Sequence, residues 1–246
     1  MSPFGRTFTD GDRLEVAGAV VTLKVHRRAR RVSLRLDRTR REIVAVAPTP
    51  RRLAEAAAFA RERALWITER LAELPAAAPL QAGVTLAVFG EPVRLERGPG
   101  RARWLAASGG EPARILAMGE GEGFARAVIL ILRRRALAVL GERTAVYAAM
   151  LGASEPKVTI MDAKGRWGSC RPGQRGAPGS IRYSWRLALA PYEVADYVAA
   201  HECAHLLELN HGPRFWAHVK ALVGDERPHR AWLRTDGAQL HAFGRP

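Results

Sequence analysis

The 246-residue sequence predicts an α+β protein. A β-rich N-terminal region carries one long helix, and a C-terminal region is built around a metal-ligand motif on a second helix. Three observations predict this. Residues 14–46 and 84–118 hold short runs of alternating apolar and polar side chains interrupted by Gly and Pro turns, the pattern of half-buried strands. Residues 51–74 and 124–151 are rich in Ala, Leu, Glu and Arg with apolar residues at helical spacing. The run His201-Glu202-Cys203-Ala204-His205 continues a helical stripe of Val194, Tyr197 and Val198.

In chain order, Val21, Leu23 and Val25 alternate with Thr22 and Lys24, and Val32, Leu34 and Leu36 alternate with Ser33 and Arg35. A third strand at 43–46 follows a polar turn at 37–41, and Pro48 and Pro50 close the sheet. Phe59, Trp66, Ile67 and Leu71 mark the apolar face of a helix over 51–74, and 75–79 is a break. Turns at Gly90-Glu91-Pro92, Gly98-Pro99-Gly100 and Gly109-Gly110 divide the second β-rich stretch into hairpins. A second break at 119–123 precedes the helix 124–151, with Val128, Leu132, Ala136 and Val139 on one face. A short strand at 156–161 leads into a loop at 162–179. A strand over 181–189 then places Ile181, Tyr183, Trp185, Leu187 and Leu189 on one side. Pro191 suits the first position of the next helix, and 213–223 reads as another. No internal repeat is evident. The expected division is residues 1–119 and 120–246.

Composition bounds the function. Apolar residues at 48% suffice for a core. No run approaches the ~20 apolar residues that span a bilayer, and the polar N-terminus lacks the apolar middle of a secretory signal; the expectation is a cytoplasmic protein with no membrane insertion. Two cysteines, Cys170 and Cys203, exclude a disulfide framework and a four-cysteine zinc site. The 39 Lys+Arg against 24 Asp+Glu give a net charge of +15, a field that attracts nucleic acid, nucleotides or acidic peptides, although arginine spread along the whole chain also describes a solvated surface.

Chemistry concentrates at 201–211. Histidines four apart share a helix face, so His201 and His205 can grip one Zn²⁺, and the Glu beside the first ligand reaches the activated water. A catalytic zinc needs a third protein ligand. Glu208 stays on the same face of a continuous helix. His211 is the favoured choice, because Asn210 can end the helix and Gly212-Pro213 keeps it from resuming at once, which turns His211 back toward the metal. Mn²⁺, Co²⁺ or Ni²⁺ also suit three imidazoles. Glu202 is then the general base. Lys164 and Arg166, in the loop before the 181–189 strand, are candidate contacts for substrate or oxyanion, and that strand is a candidate edge for an extended peptide.

Several stretches resemble the YgjP-like metallopeptidase family. These are Arg166-Trp167-Gly168-Ser169-Cys170, residues 181–190, residues 197–205 with Asn210-His211 and Phe215-Trp216, and, in the N-terminal half, residues 27–34, Val46-Ala47-Pro48 and Trp66-Ile67. The resemblance implies a zincin-like catalytic core, an active-site helix packed on a small sheet, related to SprT-like proteins. It places the ligands at His201, His205 and His211 and the catalytic Glu at Glu202. Cys203 stands where the family usually has Leu, and residues 83–122 match weakly. The leading expectation is a zinc metallopeptidase acting on peptide or protein. The alternatives are hydrolysis of a nucleotide phosphoanhydride at the same metal, and a DNA-associated protease of SprT-like kind.

Overall fold

The computed structural model describes residues 7–37, 42–73, 79–163, 165–174 and 177–243. The chain forms two compact units, Met1–Ala76 and Ala77–Pro246. In the first, strands β1 (Arg13–Val16), β2 (Ala19–Val25), β3 (Ser33–Asp37) and β4 (Glu42–Ala47) make one sheet in the order β1-β2-β4-β3. β2 and β4 run parallel, and the other two pairings are antiparallel. Val21, Leu23, Ile43, Ala45 and Ala47 turn inward and are fully buried.

The helix expected over 51–74 is divided. A single 3₁₀ turn (Pro50–Arg52) leads into α1 (Leu53–Glu62), and α2 (Ala64–Ala72) follows a break at Arg63, whose φ of −103° and ψ of 26° leave the helical region. A straight rod of that length would span ~36 Å, longer than strands of about six residues at ~3.3 Å each. The bend at Arg63 brings Ile67 back into the core while Leu65 stays 73% exposed. α1 contacts all four strands and buries Leu53, Ala56, Ala57 and Ala60 against them. Residues 38–41 of the expected turn, Leu74 and 75–78 lie outside the described residues.

The second unit opens with β5 (Thr85–Val88), β6 (Glu91–Arg97), β7 (Arg103–Leu105) and β8 (Ala113–Ala117), in the order β5-β6-β8-β7. β6 and β8 are parallel and the other pairs antiparallel. This is the wiring of the first sheet, strand for strand, and each sheet is followed by a helix that packs on it. Val21 and Leu23 pair with Ile43 and Ala45 in one sheet, and Val93 and Leu95 with Ala113 and Ile115 in the other. The sequence reading found no repeat because burial constrains only apolarity and size at these positions, so the residues diverge while the topology persists.

α3 (Gly121–Met150) is 30 residues long, about 45 Å, and begins inside the break expected at 119–123. Phe124, Val128, Leu132, Ala136 and Leu140 are buried along it, whereas Val139 is half-buried. It packs on β8, on the later sheet and on the metal-motif helix, and all share one core. The division expected at 119/120 therefore falls within the second unit: the sheet at 85–117 and the helices beyond it bury one another's apolar faces.

The later sheet contains β9 (Lys157–Met161), β10 (Gly168–Arg171) and β11 (Ser180–Ser184), in the order β10-β11-β9. Two expectations change here. The loop expected over 162–179 contains β10, a strand whose Gly-Ser-Cys-Arg sequence gives no alternation signal. The strand expected over 181–189 ends at Ser184, and Trp185–Leu189 form a fully buried 3₁₀ turn. Ser184 starts that turn, its Oγ accepting from the Arg186 N–H at 3.4 Å. β11 is the central strand, flanked by β10 and β9, so it offers no free edge; β10 and β9 are the outer strands. The chain ends in α4 (Tyr192–Ala204), α5 (Pro213–Val223), α6 (Arg227–Thr235) and a 3₁₀ segment (Gly237–Ala242). Among the described residues no helix is long and apolar enough to cross a membrane.

A polar cluster ties α3 to α4. Arg143 Nε donates to Asp196 Oδ1 at 2.6 Å, its Nη2 donates to the Tyr147 hydroxyl at 2.9 Å, and that hydroxyl donates to Asp196 Oδ2 at 2.7 Å. Burial, reinforced by the Asp196 contact, pushes the Tyr147 phenol up to about 12. Asp196→Ala leaves the Arg143 charge without its partner and is expected to cost about 3 kcal/mol, read as a lower urea midpoint at unchanged slope.

Candidate metal centre

α4 forms because 192–204 is Ala-rich, carries Glu193 in its first turn and follows Pro191, which stands just before the first helical residue. Nine of its thirteen residues are buried, which suits a helix enclosed by α3, α5, α6 and β10. The helix ends at Ala204, five residues before the expected stop near Asn210. His205 is the capping residue but keeps helical angles of −69° and −12°, so the one-turn spacing from His201 survives. Leu206, Leu207 and Glu208 N–H groups then bond back to Cys203 and Ala204 carbonyls at 2.9–3.2 Å, which tightens the turn and sends the chain back.

That turn brings in His211. One ligand nitrogen from each of His201, His205 and His211 lies within 4.8 Å of the others, and the Nε2 atoms of His201 and His211 are 3.2 Å apart. Two nitrogens bound at 2.0–2.1 Å to one tetrahedral ion stand about 3.3 Å apart, so the donor set fits a divalent metal. The Glu208 carboxylate is not part of this cluster; it lies 3.9 Å from Arg214. The backbone orients the rings. His205 Nδ1 faces the Glu208 carbonyl at 2.9 Å and His201 Nδ1 faces the Tyr197 hydroxyl at 3.3 Å, contacts that fix the ring orientation and leave the Nε2 lone pair for a metal. Trp216 Nε1 donates to the His211 carbonyl at 3.1 Å. Phe215, fully buried, sets its ring 4.5–4.8 Å from all three imidazoles.

Burial, with lesser contributions from His205 and His211, lowers the His201 imidazole to about 3, and burial lowers His205 as well. Both rings are therefore neutral at pH 7, the state that can ligate. Glu202 is 6% exposed, and desolvation raises its carboxyl to about 7 against an opposing pull from Arg166. Its surroundings are tight. A Cβ built on Gly168 would lie 2.4 Å from Glu202 Oε1 and 2.6 Å from its Cγ. The first residue of β10 must therefore be glycine for the carboxylate to occupy its place. Cys170, two residues on, is pushed up to about 12 by burial and then by Glu202, and Cys203 likewise by burial. Both are free thiols and too weakly acidic to act as nucleophiles at neutral pH. Cys203 points at α3, with its Sγ 3.7 Å from the Thr144 carbonyl.

The structure thus brings together His201, His205 and His211; Glu202 follows His201 on α4 with its carboxylate against Gly168, and exposed Arg166 is close enough for its charge to act on it. Lys164 lies outside the described residues. The sequence reading missed Gly168 and Tyr197 as parts of the site. Tyr197 stood in a stripe that reads as core, although its position four residues before His201 was a usable signal. It also missed α6, whose His229 ring stacks on Tyr197 at 5.9 Å and whose Arg230 guanidinium lies 4.4 Å from the Trp216 ring centre. The loop bearing Arg166 is held from two sides: Asp162 pairs with buried Arg186, and Trp167 packs 5.1 Å from His241.

Two histidines from the end of α4 and a third from the turn beyond it form a cluster that could hold a divalent metal ion. The YgjP-like metallopeptidase domain model matches residues 30–236, and the chain belongs to that family. Membership makes it a metal-dependent hydrolase with a zincin-like α+β domain. No curated protein and no solved structure gives a significant match.

Two outcomes are expected. Gly168→Ala should cost about 1–3 kcal/mol by overpacking, and much less in a Glu202→Ala background, so that the double-mutant cycle returns a large coupling. In protein stripped of metal by a chelator, the raised Glu202 pKa favours folding fully only below the unfolded value of 4.5, and that contribution is lost as pH rises through about 7. Glu202→Gln should then stabilise the metal-free fold at pH 8 by about 3 kcal/mol and by little at pH 5, measured by urea denaturation at both pH values.

Proposed function

We propose that the chain is a zinc-dependent peptidase in which His201, His205 and His211 hold the ion and Glu202 is the general base. The observation that carries this reading is the convergence of three imidazole nitrogens within 4.8 Å of one another, with the first ligand next in sequence to a carboxylate raised to about 7. A zinc ion there supplies Lewis-acid chemistry, polarising a carbonyl oxygen and bringing the acidity of water near neutrality. Glu202 accepts a proton from the attacking water and returns it to the leaving amine; a carboxyl that titrates near 7 is matched to both transfers. Arg166 supplies positive charge beside Glu202 and is the side chain we assign to the developing oxyanion.

Peptide is favoured as substrate by the position of β10. It is one of the two outer strands of its sheet, and the one whose first residue lies against Glu202. An extended chain that adds to an exposed edge binds through main-chain hydrogen bonds with little demand on sequence, and one paired with β10 passes directly before the general base. The edge role expected of 181–189 therefore belongs to β10. The basic Arg166 keeps a second reading open to assay, hydrolysis of a nucleotide phosphoanhydride.

Zinc-loaded protein is expected to cleave unfolded casein and to leave nucleoside triphosphates intact. Glu202→Gln should lower kcat at least ~10³-fold while still binding one zinc per chain, and His211→Ala should lose the zinc. Triphosphate turnover that disappears in Glu202→Gln, with casein untouched, would overturn the peptidase reading in favour of the second.

A further inference from the structure

The first unit carries a groove of its own. It lies between the outer strand β3 and the helices α1 and α2, with a volume of about 510 Å³. Val32, Ser33 and Leu34 form one wall, Phe59 and Trp66 the other, and Arg31 and Arg63 sit at the rim. A second cavity of about 330 Å³ shares Arg31, Val32 and Phe59 and reaches Arg52 and Glu55. Val32, Leu34, Phe59 and Trp66 are all half-buried, so apolar surface remains uncovered between β3 and the helices.

Two properties specify what fits there. The first is the strand edge. β3 pairs with β4 on one side and, among the described residues, with no strand on the other. It contains no proline, and its register with β4 is continuous with no bulge, so two of the devices that discourage pairing are absent. The second is charge. Arg27, Arg28, Arg30, Arg31 and Arg35 are exposed on and before β3, and residues 27–35 contain no carboxylate. A second copy bound along the same edge would bring another arginine-rich segment to it, adding like charge rather than neutralising it. Nucleic acid would satisfy the charge but has no peptide backbone to pair with the edge. An acidic peptide satisfies both.

We propose that this groove docks an extended acidic peptide segment as an additional strand beside β3. An apolar side chain of that segment enters between Phe59 and Trp66, and its carboxylates meet Arg31 and Arg63. The site is separate from the histidine cluster in its residues and does not depend on the activity proposed above.

The test uses the full chain carrying Glu202→Gln, so that no probe is cut, and fluorescence anisotropy. The probe is a fluorescein-labelled pool of nonapeptides alternating Asp or Glu with Val, Leu or Phe. Saturable binding is expected, weakened at least about tenfold by the surface variant Arg31→Glu/Arg63→Glu and also by Trp66→Ala, and at least about tenfold weaker for a matching Lys/Arg pool. Should Trp66→Ala fold poorly, the arginine variant alone decides. Absence of saturable binding, binding indifferent to the charge reversal, displacement by an equimolar twelve-residue oligothymidylate, or a chain that sediments as a dimer blocking the probe would each overturn the proposal.

Discussion

The close approach of β10 to α4 is the constraint on which the site depends. Gly168 and Glu202 meet with no room for one further carbon atom, so the sheet lies directly over the carboxylate. This proximity goes with the burial that raises the Glu202 carboxyl to about 7, and it sets an outer strand of the sheet against that carboxylate. Because side chains in such a contact cannot yield without displacing their neighbours, the site's precision comes from packing as much as from hydrogen bonds.

Behind α4, the structure invests in polar contacts where a wholly apolar interface would have been simpler. The Arg143–Asp196–Tyr147 cluster and the hydrogen bond of Thr144 to Tyr183 at 2.8 Å join α3 to α4 and to β11. Satisfied networks of this kind have one good geometry, whereas apolar surfaces tolerate sliding. A helix whose two histidines must meet a third from beyond its end gains from being fixed in rotation and height, and this cluster supplies that restraint.

Much of this was legible in the sequence. The histidine spacing and Gly212-Pro213 anticipated three converging imidazoles, and the family resemblance carried by residues 166–170 and 197–211 agrees with the family assignment. The strands at 21–25 and 33–36 were visible through their alternation of apolar and polar side chains, and 43–46, buried on both faces, was visible as a short apolar run between a polar turn and Pro48. The signal failed where no turn residue marks the end of a buried run, or where no apolar pattern exists. Residues 185–189 are buried on every side, so their alternation could not separate a strand from a 3₁₀ turn, and β10 has no apolar pattern at all. The division at 119/120 failed for another reason: glycines at 119, 121 and 123 mark a turn, but a turn does not show which surfaces the next helix covers. The break at Arg63 and the repeated sheet wiring depend on distances between elements, which local patterns do not encode.

The shared wiring of the two four-stranded sheets has a consequence for engineering. In the first, the chain leaves β4 into a short helix that bends after ten residues; in the second it leaves β8 into a rod of thirty. The rod is shared property, one part of its length covering a sheet of the common plan and another bracing the histidine-bearing helix. A designer transplanting the hydrolytic part into another scaffold would need to carry the second sheet with it, since α3 without β8 would present its buried row of Phe124, Val128 and Leu132 to water.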